Sequence, residues 1–329
     1  MPEGKKDKIA VLGSNSFAAS AFVSEALDRK YQVFGISRSP LEKGRLRGIF
    51  PDFQFRQLDL NQNLSQVIEV LTDFKPETIV DFAGQGMVAE SWQAPEQWYQ
   101  TNIVAKVRLH HWLKDQKWLK KYVRISTPEV YGSCEYLIDE SRNYAPSTPY
   151  AVSHAAIDMS LKSFFQRYEF PVVIGRFANF YGEGQQLYRI IPKTILSVLS
   201  GKKLSLHGGG KSIRAFIHGK DVAAGIFKMI YFSSIGGVYH FSPTKFISIR
   251  DLVELISVKL GVCFENAIEI SPDRPGKDQA YLMSSEKAQR ELNWYPQIDL
   301  EEGTDRSIRW ISSNFNELSK ISWEYRHKA

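Results

Sequence analysis

Short β-rich runs at residues 8–12, 32–37, 53–58, 78–82, 122–126 and 171–176 alternate with helix-length amphipathic segments at 17–28, 64–72, 94–114 and 149–168. Strands separated by crossovers of this length pair in parallel, and right-handed crossovers leave a doubly wound α/β sheet of Rossmann type as the fold class. After Arg176 the rhythm changes. Segments become shorter and richer in Gly and Pro, as in Gly182-Glu183-Gly184, Gly208-Gly209-Gly210 and Pro272-Asp273-Arg274-Pro275-Gly276, with helices expected at 187–200 and 249–261. This predicts a first domain over 1–175, completed by segments near 217–245, and a smaller α/β lobe over 176–329.

With 43% apolar and 13% aromatic residues in 329, the chain has the material for a packed core and is neither disordered nor collagen-like. Cys134 and Cys263 stand far apart with no His or Cys at metal-ligand spacing, which argues against a disulfide scaffold or zinc site and fits a reducing cytoplasm. No run approaches the roughly 20 apolar residues of a membrane helix, and the N-terminal segment lacks a signal-peptide pattern. A net charge of +6 suits small phosphates or nucleic acid. The densest basic run, 114–124 with Lys114, Lys117, Lys120 and Lys121, has no nucleic-acid motif around it and reads as a solvated helix end. Neither a nucleic acid nor a membrane is expected as a partner.

The first strand leads into Gly13-Ser14-Asn15-Ser16-Phe17-Ala18-Ala19 and then a helix. Small residues here allow a tight turn and let a pyrophosphate reach the N–H groups at the helix N-terminus. Of a G-x-x-G-x-x-G pattern only Gly13 survives, Ser16 and Ala19 taking the other places, so a plain strand-to-helix turn competes with a dinucleotide loop. The second strand ends in Ser37-Arg38 where an acidic residue would receive the ribose of NAD. A guanidinium and a hydroxyl suit a 2′-phosphate, which favours NADP over NAD, with a solvated Arg38 as the competing reading.

Two later segments are more specific: Ile125-Ser126-Thr127-Pro128-Glu129-Val130-Tyr131-Gly132, and Ser147-Thr148-Pro149-Tyr150-Ala151-Val152-Ser153-His154. In order and spacing they resemble the extended short-chain dehydrogenase/reductase superfamily, in particular the nucleotide-sugar 4,6-dehydratases acting on dTDP-glucose and GDP-mannose. Those carry Ser-Thr-Asp-Glu-Val-Tyr-Gly or Thr-Ser-Glu at the first site and Tyr-x-x-x-Lys at the second. The likeness runs from Lys8 to Trp310 and takes in Phe82-Ala83-Gly84-Gln85, Thr101-Asn102, Arg176-Phe177-Ala178-Asn179 and Asp273-Arg274-Pro275-Gly276.

The resemblance implies cofactor contacts from Gly13, Ser16, Phe17, Ala19, Ser37, Arg38, Asp59, Leu60, Ala83, Gly84, Tyr150 and His154. It implies contacts to a nucleoside diphosphate sugar from Gln85, Thr127, Asn179, Arg189, Lys193, Arg214 and Arg274. It also implies a homodimer through helices 94–114 and 149–168, whose Trp98, Trp112, Ile157, Phe164 and Phe165 exceed what one sheet-facing stripe needs.

The expected chemistry is removal of hydride from C4 of the sugar with Tyr150 as base and Thr127 on the same oxygen, C5 proton abstraction by Glu129, loss of the C6 hydroxyl, and hydride return to C6. Two departures stand out. Pro128 replaces an acid found in the dTDP-glucose branch, leaving Glu129 or a water to protonate the leaving group. His154 replaces the lysine, and an imidazole with a pKa of about 6.5 against about 10.4 supplies no fixed charge at neutral pH unless a phosphate or carboxylate raises it. Weak or strongly pH-dependent turnover is therefore expected, improved by His154→Lys. A nucleotide-sugar epimerase, a uronic-acid decarboxylase and a non-catalytic binding protein remain alternative readings.

Overall fold

The structure, a computed structural model, describes residues 7–41, 53–272 and 279–328. Seven strands build the central sheet: β1 (Lys8–Leu12), β2 (Gln32–Ser37), β3 (Gln54–Gln57), β4 (Thr78–Asp81), β5 (Lys121–Ser126), β6 (Val172–Phe177) and β7 (Val238–Phe241). All pair in parallel in the order β7-β6-β5-β4-β1-β2-β3. The expected Rossmann-type doubly wound sheet is what forms. Its strand order reverses between β1 and β4, where the loops leaving the two strands diverge and open a crevice.

Strands buried on both faces read as continuous apolar runs, and Ile9 to Leu12 in β1 are all buried. On one face lie α1 (Phe17–Asp28) and, from further along the chain, the helix Gly219–Phe232, packed together through Phe22 and Phe227. On the other lie α2 (Leu64–Phe74), α3 (Ala105–Leu113) and α4 (Pro149–Tyr168) over Leu71, Leu109, Tyr122 and Ile157. α1 and α4 begin and end where the sequence pattern places them. Thr148 caps α4 by accepting from the Ala151 N–H at 3.1 Å, Pro149 fills the first position, and the chain leaves at Glu169 in the left-handed region.

The helix expected over 94–114 arrives in three pieces: an α segment Pro95–Tyr99, a π turn Gln100–Val104, and α3. Widening the turn aims buried Asn102 at the β4 loop, where its side chain holds both backbone groups of Gln85 at 2.7 and 3.1 Å. The basic run does not end as a solvated helix. Its last four residues open β5, with Lys121 donating to the carbonyls of Met229 and Ile230 at the end of the Gly219–Phe232 helix and Arg124 fully buried. Trp98 and Ile157, read from sequence as surplus apolar residues for a twofold contact, are fully buried within the chain. Trp112, Phe164 and Phe165 pack against the same core.

Beyond β6, a third core gathers Tyr181, Ile191, Ile195, Phe216, Leu252, Leu300 and Ile311. α5 (Ile190–Leu199) and the helices Ile249–Lys259 and Leu300–Ser313 cover it. At Gly303 the Leu300–Ser313 helix passes so close to Tyr181 that an added Cβ would lie 2.1 Å from the phenol oxygen. Among the described residues, no helix is long and apolar enough to cross a membrane.

Candidate active site

The crevice between β1 and β4 is built on close backbone approach. Gly13 has φ +74, and a Cβ there would meet the Ala83 nitrogen at 2.7 Å, so only glycine lets the two loops touch. Its N–H donates to the Ile36 carbonyl at 2.7 Å. α1 starts from Ser16, whose side chain makes no capping bond, and Ser14 Oγ and Ser16 Oγ are buried without hydrogen-bond partners. Orphaned hydroxyls beside an uncapped helix start fit a phosphate acceptor.

Gly13, Ser16, Ser37, Arg38, Asp59, Leu60, Ala83, Gly84 and Gln85 line this pocket together with Asn15 and Thr101. Phe17 and Ala19 do not. Ala19 is fully buried in the core and Phe17 turns its ring towards Gly219, because side chains at the start of α1 face inward.

Residues 323–328, in which the sequence carries no periodic signal, run across the mouth of the pocket. The Lys328 carbonyl accepts from Arg38 at 3.0 Å and from Gln85 at 2.8 Å, His327 stacks on Trp98 at 4.9 Å, and Glu324 pairs with Lys193 at 2.9 Å. Arg38, expected on the dinucleotide, and Lys193, expected on the nucleotide sugar, are thus both held by this segment.

At the end of β5, Thr127 Oγ1 accepts from the Glu129 N–H at 3.3 Å and caps a short 3₁₀ turn, Pro128–Tyr131, in which Pro128 suits the first position. Tyr150 enters from the first turn of α4, its own N–H donating to Ser91 Oγ at 3.2 Å. The phenol is hydrogen-bonded to Thr127. Burial, then the Glu129 charge, push its pKa up to about 12, while the Thr127 bond, Arg189 and Arg124 pull the other way. Tyr150 and Thr127 therefore meet, with the charges of Glu129 and Arg189 near enough to act on the phenol.

His154 lies one turn beyond Tyr150, the ring centroids 4.6 Å apart. Its direct partner is a guanidinium and not a carboxylate. Burial first, then the cations Arg124 and Lys106, hold the His154 pKa well below the ordinary imidazole value. Its Nδ1 stands 2.9 Å from Nη2 of Arg124.

Behind this lies a buried charge network that sequence reasoning missed. Lys106 Nζ is 2.6 Å from Asp81 Oδ2 and Arg124 Nη1 is 3.7 Å from the same oxygen. Asp158 faces Arg124 Nε at 3.5 Å and Arg176 Nη2 at 3.1 Å and accepts from Ser126 Oγ at 2.6 Å. Arg176 also donates to the phenols of Tyr131 and Tyr144. Burial raises the Asp81 carboxyl, but Lys106 and Arg124 outweigh it and keep it ionised; burial lowers Lys106 to about 8. The available signal was a lone charge inside otherwise apolar strand runs.

Of the residues expected to grip a diphosphate, Asn179 and Arg214 meet around Tyr281. Asn179 Oδ1 accepts from the phenol at 3.4 Å, and the guanidinium lies 4.3 Å from the ring centre while donating to the Ile213 and Gln279 carbonyls. Arg189 is exposed at the start of α5. Arg274 lies outside the described residues. Among the described residues there is no cluster able to hold a metal ion.

A Rossmann sheet whose fifth strand delivers a Thr and a Glu beside a Tyr on the next helix is the arrangement of the extended short-chain dehydrogenase/reductases, on their branch of nucleotide-sugar dehydratases and epimerases. Within that branch the chain belongs to the family described as GDP-mannose 4,6 dehydratase, whose model matches residues 11–307. It is 27% identical over 339 residues to the dTDP-glucose 4,6-dehydratase of Neisseria gonorrhoeae, covering 95% of this chain and 97% of that one. To the human dTDP-D-glucose 4,6-dehydratase it is 27% identical, over 98% of this chain and 94% of that one. The structure of DesIV, a dTDP-glucose 4,6-dehydratase of Streptomyces venezuelae solved with NAD, superposes with a TM-score of 0.87 at 27% identity, covering 95% of this chain and all of that one, 100%. A UDP-glucose 4-epimerase of Thermotoga maritima shares the fold, with a TM-score of 0.86 at 21% identity over 94% of this chain and 99% of that one.

Proposed function

We propose that the protein is a nucleoside diphosphate hexose 4,6-dehydratase that uses NADP or NAD, with NADP preferred. The observation that carries the reading is the gathering of Tyr150, Thr127 and Glu129 at the end of β5, the strand next to the crevice, since C4 oxidation needs the first two and abstraction of the C5 proton needs the third. A bound dinucleotide would supply a reversible hydride acceptor there. Gly13 and Ser16 hold its pyrophosphate, and Ser37 and Arg38 its adenosine ribose. Asn179, Arg214 and Arg274 hold the sugar's diphosphate, and the lobe over 176–329 is the substrate side.

Tyr150, reacting as its phenolate, accepts the proton of the C4 hydroxyl while Thr127 donates to the same oxygen. The resulting ketone acidifies C5–H, and the Glu129 carboxylate removes that proton. Pro128 has no proton to give, so the Glu129 carboxyl passes the same proton to the C6 hydroxyl as it departs; C5 then takes a proton from solvent as C6 becomes a methyl group, and the proton held by Tyr150 returns to solvent. One water leaves per turnover.

A panel of nucleoside diphosphate hexoses and uronates, with products read by mass, tests this. Loss of about 18 mass units, the mass of one water, is expected from a hexose, whereas loss of carbon dioxide from a uronate, or no mass change across the panel, overturns it. The same preparation is expected to sediment as a twofold dimer at micromolar concentration, with exposed Val104, Val152 and Met159 at the contact; a monomer there removes the dimer.

The NADP preference rests on Arg38, which has to leave the Lys328 carbonyl to meet a 2′-phosphate. In Arg38→Asp the ratio of NADP to NAD affinity is expected to fall by roughly 10- to 100-fold, the worth of a charged hydrogen bond. An unchanged ratio assigns the arginine no part in the choice.

A further inference from the structure

We propose that Arg124 takes over the work of the absent lysine: it fixes His154 as a neutral imidazole carrying its proton on Nε2, and it supplies the permanent positive charge behind Tyr150. The inference rests on the dehydratase reading for its kinetic consequence but not for the state of His154. A guanidinium has donors and no acceptor. Its Nη2 lies 2.9 Å from His154 Nδ1, so Nδ1 accepts and the single ring proton sits on Nε2. Hydrogen-bonding by a cation strengthens that Nε2–H as a donor, the function a lysine ammonium would have towards a ribose hydroxyl.

The charge stays in place because the pocket cannot neutralise it. The titratable and charged groups facing His154 and Arg124 are Asp81 from β4, Tyr122 from β5, Lys106 and His110 from α3, Asp158 and Tyr150 from α4, and Arg176 from β6. Below about pH 8, where Lys106 keeps its proton, three cations stand against two carboxylates, leaving one positive charge over. Arg124 is the least well paired of the cations, at 3.7 Å from Asp81 and 3.5 Å from Asp158. It is also fully buried, so water screens it little. Its pull on the Tyr150 phenol is in the direction that favours the phenolate.

The arrangement reverses an expectation drawn from sequence. A lysine at 154 would set an ammonium against the Arg124 guanidinium, and like charges in a buried site repel. His154→Lys is therefore expected to lower the rate of C4 oxidation by about tenfold or more. Arg124→Gln is expected to lower it similarly, and Arg124→Gln combined with His154→Lys to recover most of the loss, because one cation is again present.

An independent readout needs no substrate: nitrogen-15 NMR of the His154 ring in the whole protein. In the wild type the ring is expected to stay neutral with Nε2 protonated from about pH 5.5 to 8, a range spanning the ordinary imidazole pKa. In Arg124→Gln it should titrate upward towards that ordinary value, and in Arg124→Lys, which retains a cation, it should remain neutral. A wild-type His154 that titrates near its ordinary value, or carries its proton on Nδ1, overturns the proposal whatever the substrate proves to be. So does a rate gain in His154→Lys alone. If Arg124→Gln does not fold, the His154→Lys rate and the wild-type spectrum still decide.

Discussion

Glu129→Gln is expected to abolish solvent exchange at C5 of the nucleotide sugar while C4 oxidation continues. Glutamine keeps the shape and the backbone bond from residue 129 to Thr127 Oγ1, so the 3₁₀ turn persists. What disappears is the only group in the proposed mechanism able to accept the C5 proton, and loss of a positioned general base lowers its step by about 10²- to 10⁴-fold. Removing a negative charge that pushes up the Tyr150 phenol also makes the first step no harder. Deuterium from solvent should enter C5 in the wild type and not in the variant. Equal exchange in both would remove Glu129 from the elimination.

Asp158→Ala is expected to give the largest loss of stability of any single substitution in the site. Asp158 is fully buried, accepts from Ser126 Oγ at 2.6 Å, and stands between Arg176 at 3.1 Å and Arg124 at 3.5 Å. Deleting it leaves two guanidinium groups facing each other across a small cavity. Breaking a buried ion pair from one side costs about 3–5 kcal/mol, a large share of the roughly 5–15 kcal/mol that holds a typical domain. Urea unfolding should show a lower midpoint at unchanged slope. A shift equivalent to less than about 1 kcal/mol would mean that the arginines find other partners, most directly the phenols of Tyr131 and Tyr144.

The doubly wound sheet was legible because β1, β2, α1 and α4 are local: an apolar run or stripe closed by Gly13, by Arg38 and Ser39, by Lys30, or by the Thr148-Pro149 start. The π turn was not, since inserting one residue of phase into a helix leaves no mark on the apolar pattern. Thr127, Glu129 and Tyr150 could be grouped by motif spacing alone. That Phe17 and Ala19 face the core depends on how α1 lies on its neighbours, which spacing does not report. Nor does it report the segment at 323–328, whose contacts with Arg38, Gln85 and Trp98 join positions more than two hundred residues apart. Lys-to-His at 154 was visible as an anomaly, but its counterpart lay in β5, thirty residues away.

The buried charges have a second consequence, for which strands pair and how. β4, β5 and β6 are apolar on both faces, so burial alone does not distinguish one alignment from another displaced by a residue. Asp81 lies opposite Arg124, and Ser126 opposite Arg176, all on the face covered by α3 and α4. A one-residue slip of β5 would swing Arg124 to the opposite face, among Phe177 and Phe227 and away from both carboxylates. An alignment that apolar packing would tolerate is thus excluded by an unpaired buried charge. The network that surrounds His154 therefore also sets the register of the strands that carry Thr127 and Glu129 to the crevice.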